Sequence, residues 1–357
     1  MKVRKFMPLV AAALTAVLVL AVGAGTGSAR TDAQQATAAT PIKVTLVTDI
    51  GGLDDRSFNF LANQGLQRAK KNLGVTGSVF ISKSDRDYIP NLTRAARDGS
   101  GLVIGVGFLM ATSVAKVAKR FPNTKFAISD NSGVPAELKN GNPTNVRGLL
   151  FKEQEAGYLV GYLAARQITA KPFGGNIMLG AVGGLKIPPV DRFIAGYYAG
   201  AKKASAKVKV VHSYSQDFVD QAKCKEQALN QIANGAGVVF QVAGQCGLGV
   251  LSAAKEKRVF GIGVDADQGY LGPHVMTSAT KKVDVAVYQT IAAAQKSGAA
   301  FRTGYNAIFT VKNGGVGYGK ISTRISPALK LAVENIRKQI ASGKIKVTAQ
   351  APPATSG

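Results

Sequence analysis

Histidine and cysteine are nearly absent, with two of each in 357 residues. His212 and His274 have no partner at metal-ligand spacing, so the pattern offers no metal centre. Cys224 and Cys246 lack the Cys-x-x-Cys spacing of a catalytic redox pair. No Gly-x-Ser-x-Gly nucleophile elbow occurs. The run GGVGYGK at 314–320 follows phosphate-loop spacing to its lysine, but Ile321 stands where Ser or Thr would bind magnesium. No strong apolar strand directly precedes that run. The residues therefore carry no sign of catalysis, and no enzyme activity, metal or cofactor is expected. Beyond residue 30 no apolar run is long enough to span a bilayer.

Acid is also scarce. Twenty acidic residues face 45 basic ones, a formal charge of +25. The bases are scattered, as at Lys70-Lys71, Lys202-Lys203 and Lys281-Lys282, with no dense arm or aromatic-interleaved motif. That distribution reads as a solvated basic surface near an anionic cell envelope, with no nucleic-acid partner.

What is present begins with a leader. Lys2, Arg4 and Lys5 precede an apolar stretch at 8–22, and Gly27-Ser28-Ala29 supplies small residues for cleavage. This pattern predicts a signal peptide at 1–29, a flexible lead-in at 30–41 and a disordered tail at 347–357. The chain is expected to be exported to the periplasm, the extracellular space or the cell envelope. No cysteine lies near the cleavage site, so no lipid attachment point is evident. Export permits a disulfide between Cys224 and Cys246. Cys224 falls near the start of a predicted helix at 218–234, and Cys246 follows a predicted strand at 237–242. In a βαβ layout both lie at the same edge of a sheet.

Apolar runs of strand length alternate with helical patterns along the remainder. Strands are predicted at 43–48, 78–82, 102–106, 125–129, 146–150, 177–182, 208–213, 237–242, 259–264 and 275–278. Helices are predicted between them, the first at 57–73, where Phe58, Leu61, Ala62, Leu66, Ala69 and Leu73 recur at three- and four-residue spacing. The strands are continuously apolar, which calls for parallel sheets covered on both faces. So many strands fit an α/β architecture of two doubly wound lobes. The first lobe is expected to comprise 42–148 plus 275–300, and the second 149–274 plus 301–346. The chain is expected to cross between lobes near 140–145 and again at 265–274.

The turn at 48–59, TDIGGLDDRSFN, joins a strand to a helix, and such turns sit at the carboxyl edge of a sheet, where α/β proteins bind ligands. It brings an acid (Asp49), a ring (Phe58) and an amide (Asn59) to one edge, a set suited to a small, flat, polar molecule. Asp130, Gly244 and Asp265 also follow predicted strands and belong at carboxyl edges. Carboxylates there accept hydrogen bonds from hydroxyl and N–H groups. Asp54 and Asp55 read instead as helix caps.

Six segments together resemble the basic membrane protein family of solute-binding proteins, extracytoplasmic receptors of ABC importers that include purine nucleoside receptors. They are 48–59, 103–130 (VIGVGFLMATSVAKVAKRFPNTKFAISD), 145–165 (NVRGLLFKEQEAGYLVGYLAA), 238–256 (VVFQVAGQCGLGVLSAAKE), 263–268 (GVDADQ) and 277–288 (TSATKKVDVAVY). The resemblance implies a type I periplasmic binding protein, whose two Rossmann-like lobes close on a solute about a hinge. It implies that Phe58 and Phe193 stack on the two faces of a base. Asp49, Asp265 and Lys281 would hold ribose hydroxyls, Asp130 would contact the base edge, and Gly244 would admit the ligand close to backbone. The implied partners are a nucleoside and a membrane permease, and the receptor is expected to be a monomer. The chain departs from the pattern at Ile50, where some nucleoside receptors carry a polar group, and at Gln245-Cys246. Riboflavin, a sugar or a furanone signal stays open as the solute. A DNA-bound regulator of the same fold would carry a helix-turn-helix where the leader stands.

Overall fold

The computed structural model describes residues 41–138, 143–296 and 300–349. The predicted leader, most of the lead-in and most of the tail lie outside the described residues, as do 139–142, which take in the first half of the predicted 140–145 crossing. From the start of the described chain, β1 (Lys43–Thr48), α1 (Phe58–Leu73), β2 (Thr76–Phe80), α2 (Tyr88–Arg97), β3 (Leu102–Val106), α3 (Ala111–Arg120) and β4 (Lys125–Ser129) alternate strictly. β5 (Val146–Phe151) leads directly into α4 (Glu153–Ala170). The alternation resumes with β6 (Met178–Gly183), α5 (Pro188–Ala204), β7 (Lys209–Tyr214), α6 (Gln221–Ala233), β8 (Ala236–Val242), α7 (Gly247–Glu256) and β9 (Phe260–Asp265). Last come β10 (Val275–Lys281), α8 (Val283–Gln295), β11 (Tyr305–Phe309), β12 (Val316–Tyr318) and α9 (Pro327–Ala341).

Two six-stranded sheets result, ordered β2-β1-β3-β4-β5-β11 and β7-β6-β8-β9-β10-β12. Every pairing is parallel except β10 with β12. The central strands β3 and β8 are buried along their whole length, the burial expected of parallel strands covered by helices on both faces. Each sheet with its helices forms one lobe, and the two strand orders match position for position.

The lobe boundaries differ from the sequence reading. Val275–Lys281 pairs with β9 in the second sheet, whereas Tyr305–Phe309 pairs with β5 in the first. The segment 266–274 therefore joins two strands of one sheet and is no crossing. The chain changes lobe at Lys152, between β5 and α4, at Lys282, between β10 and α8, and at 310–315, between β11 and β12. Two strands were missed, both at sheet edges. β11 carries Tyr305 and Asn306 ahead of only three apolar residues, and β12 has three residues only, so neither is the continuous apolar run that marked the others. β12 also occupies the glycine-rich run at 314–320.

The three crossings are bonded to one another. Lys152 donates its backbone N–H to the Phe309 carbonyl at 2.9 Å, and Lys282 donates to Gly315 at 2.9 Å. Val311 N–H donates to Glu155 Oε2 at 2.7 Å. The rings of Phe151 and Phe309 stack beside them with centroids 4.9 Å apart.

In the second lobe α4 and α5 run side by side in one direction. Gly157 and Gly161 of α4 alternate with Gly196 and Gly200 of α5 at the contact. A Cβ at Gly157 would overlap the Phe193 carbonyl oxygen, and one at Gly196 would overlap that of Gln154. The absence of side chains there brings the two backbones into direct contact. Cys224 and Cys246 are disulfide-bonded, with Cα atoms 5.6 Å apart, and tie α6 to the start of α7.

Candidate functional site

All eight residues singled out from the sequence line one cleft between the lobes. Asp49 follows β1, Phe58 and Asn59 open α1, and Asp130 follows β4, all from the first lobe. Phe193 lies in the second turn of α5, Gly244 follows β8, Asp265 ends β9 and Lys281 ends β10, all from the second. The parallel order puts every one of these strand ends at a carboxyl edge, and the lobes turn those edges toward each other. Ile50, Phe108, Phe218 and Val264 add apolar wall.

Asp130 and Asp265 repeat one device. They end topologically equivalent strands, and both hold a left-handed backbone, with φ of 66° and 58°. Aspartate is among the few non-glycine residues that adopt this conformation readily. In each lobe the left-handed turn follows a buried strand end and leaves its carboxylate against the cleft.

The carboxylates differ in their partners. Asp49 accepts hydrogen bonds from the Tyr88 hydroxyl and, at 2.7 Å, from Ile50 N–H. Burial nevertheless pushes its carboxyl up to about 6. Asp265 accepts a 2.8 Å hydrogen bond from the Ser57 hydroxyl of the opposite lobe. Burial outweighs that bond and the nearby Lys281, and lifts Asp265 to about 7. Asp130 is raised as well, by burial first and by Glu153, against the pull of Lys281. Asp55 accepts from the N–H groups of Ser57, Asn59 and Phe60 at 2.7–3.0 Å, which bears out its reading as a cap.

Lys281 occupies the centre. Its Nζ lies 2.6 Å from Asp130 Oδ1 across the cleft and 3.0 Å from Glu153 Oε1 in its own lobe. Three rings surround it, with centroids 5.0 Å (Phe58), 4.8 Å (Phe151) and 5.9 Å (Phe193) from the ammonium nitrogen. Burial opposes the charge, but Asp130, Glu153 and Asp265 together outweigh it and hold the ammonium above the ordinary lysine range. Asn59 is also buried, and among the described residues its Oδ1 finds no donor. That orphaned acceptor suits an N–H or O–H from a bound molecule.

Sequence reasoning missed Ser57, Glu153 and Arg192. Glu153 is fully buried and accepts at 2.8 Å from Arg192 Nε as well as from Lys281. An acid in the first turn of a helix reads as a complement to the helix dipole, so the sequence held no signal for this pairing. Arg192 directly precedes Phe193, and no motif or spacing in the sequence sets it apart from the many other basic residues.

Residues 42–351 match the family described as ABC transporter substrate-binding protein PnrA-like. The chain is 35% identical over 332 residues to the ABC transporter nucleoside-binding protein BmpA of Lactococcus lactis, covering 86% of this chain and 89% of that protein. It is 32% identical over 284 residues to basic membrane protein B of Borreliella afzelii, covering 77% and 80%. Among solved structures it superposes on an ABC transporter solute-binding protein from Aeropyrum pernix with a TM-score of 0.77 and 30% identity, over 87% of this chain and 94% of the other.

Proposed function

The chain belongs to the PnrA-like family of ABC transporter substrate-binding proteins, and we propose that it binds a nucleoside, a purine nucleoside foremost, between its lobes and presents it to a membrane permease. It is a solute-binding protein of ABC-transporter type and not an enzyme. The observation that carries the ligand reading is the pair of rings, Phe58 from one lobe and Phe193 from the other, whose centroids lie 5.0 Å and 5.9 Å from Lys281 Nζ in the same cleft. Stacking on aromatic side chains is worth roughly 1–3 kcal/mol per base. Asp49, Asp130 and Asp265 supply acceptors for ribose hydroxyls and the base edge. Asn59 adds its free acceptor, and Gly244 lets backbone approach. The name of the Lactococcus relative supports the same class of ligand.

The unfilled space among these residues is about 80 Å³, smaller than the roughly 150 Å³ that admits benzene in a packed core. A nucleoside therefore requires the lobes to stand further apart than they do here. The three bonded crossings form the hinge for that motion, and Asp130–Lys281 and Ser57–Asp265 are the contacts it parts. A solute that touches both lobes favours the closed form, which the permease reads. Delivery requires export, and the basic n-region and apolar stretch of the leader supply the signal for it.

The test is a thermal-shift panel on the mature protein after unfolding and refolding to strip carried-over solute. It compares adenosine, guanosine, inosine, cytidine, uridine, free bases, ribose, galactose, riboflavin and a furanone. A nucleoside at about 100 times its dissociation constant adds roughly 2.7 kcal/mol of stability. Shifts confined to riboflavin, a sugar or the furanone overturn the nucleoside assignment and leave the receptor class intact.

A further inference from the structure

We propose that Glu153 is a positioning residue of the cleft: it keeps Lys281 charged and aimed while the lobes open, and it couples that ammonium to the helix carrying Phe193. The proposal deepens the nucleoside reading and rests on it for the identity of the solute. Lys281 is 2% exposed and enclosed by the rings of Phe58, Phe151 and Phe193. An ammonium so stripped of water reverts to the neutral amine unless carboxylates offset the loss. The charged groups that face it are Asp130 from the end of β4, Asp265 from the end of β9 and Glu153 from the start of α4, with Arg192 of α5 behind Glu153.

These three carboxylates are not equivalent. Asp130 belongs to the first lobe and leaves Lys281 when the lobes part. Asp265 stays in the second lobe but is held in part as its neutral acid by burial. Its hydroxyl partner Ser57 departs with the other lobe. Glu153 alone remains bonded to Lys281 throughout, because α4 and β10 are parts of one lobe. Both of its oxygens are used, Oε1 by Lys281 at 3.0 Å and Oε2 by Arg192 at 2.8 Å. Arg192 precedes Phe193, whose carbonyl rests against Gly157 one turn further along α4. Ammonium, ring and hinge helix therefore move as one piece. The solute meets a lysine already charged and already placed, and competes only for Asp130.

A merely structural Glu153 lowers the melting temperature on substitution and changes nothing else. Glu153→Gln keeps the shape and removes the charge. The first readout is the NMR titration of the Lys281 side chain in the solute-free protein, assigned with Lys281→Met. The proposal expects the midpoint to fall by about one pH unit or more in E153Q, the usual effect of an adjacent opposite charge. The second is calorimetry with the nucleoside that binds wild type best, at pH 7.5 and 9.5, read as the ratio of wild-type to variant affinity so that the solute's own titration cancels. That ratio is expected to be about ten at pH 7.5 and several-fold larger at pH 9.5. Glu153→Asp, which retains the charge at a greater distance, falls between wild type and E153Q in both readouts and serves alone if E153Q does not fold. An unmoved Lys281 midpoint, or an affinity ratio independent of pH, overturns the proposal. If wild type binds no nucleoside, the functional reading fails, and the Lys281 titration still decides the role of Glu153.

Discussion

Replacing Asp265 by asparagine is expected to stabilise the solute-free protein at neutral and alkaline pH while weakening its hold on solute. Burial lifts this carboxyl from an ordinary 3.8 to about 7. In the unfolded chain it loses its proton near pH 4, whereas the native cleft retains it to near pH 7. Between those values the native state binds a proton that the unfolded state has released. Stability contributed by that proton is complete below pH 4, declines through the window and is gone above pH 7. A shift of one unit corresponds to about 1.4 kcal/mol, and three units give an upper figure of about 4 kcal/mol. Coupling to Lys281 and Asp130 shares out that sum, so a gain on the order of 2 kcal/mol is the working value for removing the charge. Asparagine accepts the left-handed backbone and still offers Oδ1 to the Ser57 hydroxyl. Melting temperatures of wild type and D265N at pH 4, 6 and 8 measure the effect. With about 2.1 cal/mol/K of unfolding entropy per residue, a folded chain of this size shifts by roughly 1.6 °C per kcal/mol, so D265N should melt about 3 °C higher at pH 8 and level with wild type at pH 4. A variant that melts lower at pH 8, or that differs equally at pH 4 and pH 8, refutes the reasoning.

Two further outcomes follow from the second lobe. Gly157→Ala drives a methyl group into the Phe193 carbonyl, where backbone on both sides resists displacement. It should cost about 3 kcal/mol in urea unfolding and weaken nucleoside binding. An unchanged unfolding midpoint means that α4 and α5 are not locked. Reduction of Cys224–Cys246, which closes a separation of 22 residues, should lower stability by about 3 kcal/mol in the chain-entropy account. Identical denaturant midpoints with and without reductant dismiss the bond as a stabilising element.

The fold was legible because its central strands are continuously apolar and its helices amphipathic, as in α1. The positions of Asp49, Asp130, Gly244 and Asp265 followed from that alone, since a residue after a parallel strand has one edge to occupy. Phe58 was placed at the edge by the turn at 48–59, but its stacking role, like Phe193 and Lys281 themselves, came from likeness to a family, and the meeting of the three is a property of the closed pair of lobes. Lobe membership after β9 was misread because sequence order and sheet order part company there. The signal needed was the pairing of β10 with β9 and β11 with β5, and edge strands such as Tyr305–Phe309 carry only half an apolar face. Glu153, Ser57 and Arg192 escaped notice because each is polar beside a helix start, where polar residues are ordinary.

The two left-handed aspartates also bound how this cleft can change its diet. At both positions only glycine, asparagine and aspartate avoid a backbone penalty of roughly 1–2 kcal/mol. Either site can therefore switch between a charged acceptor, an amide that both donates and accepts, and bare backbone, but cannot readily take up a lysine, a ring or a branched chain. New solutes would have to be accommodated by that three-letter alphabet at the two turns, together with freer choice at Ile50, Phe108 and Phe218 along the walls.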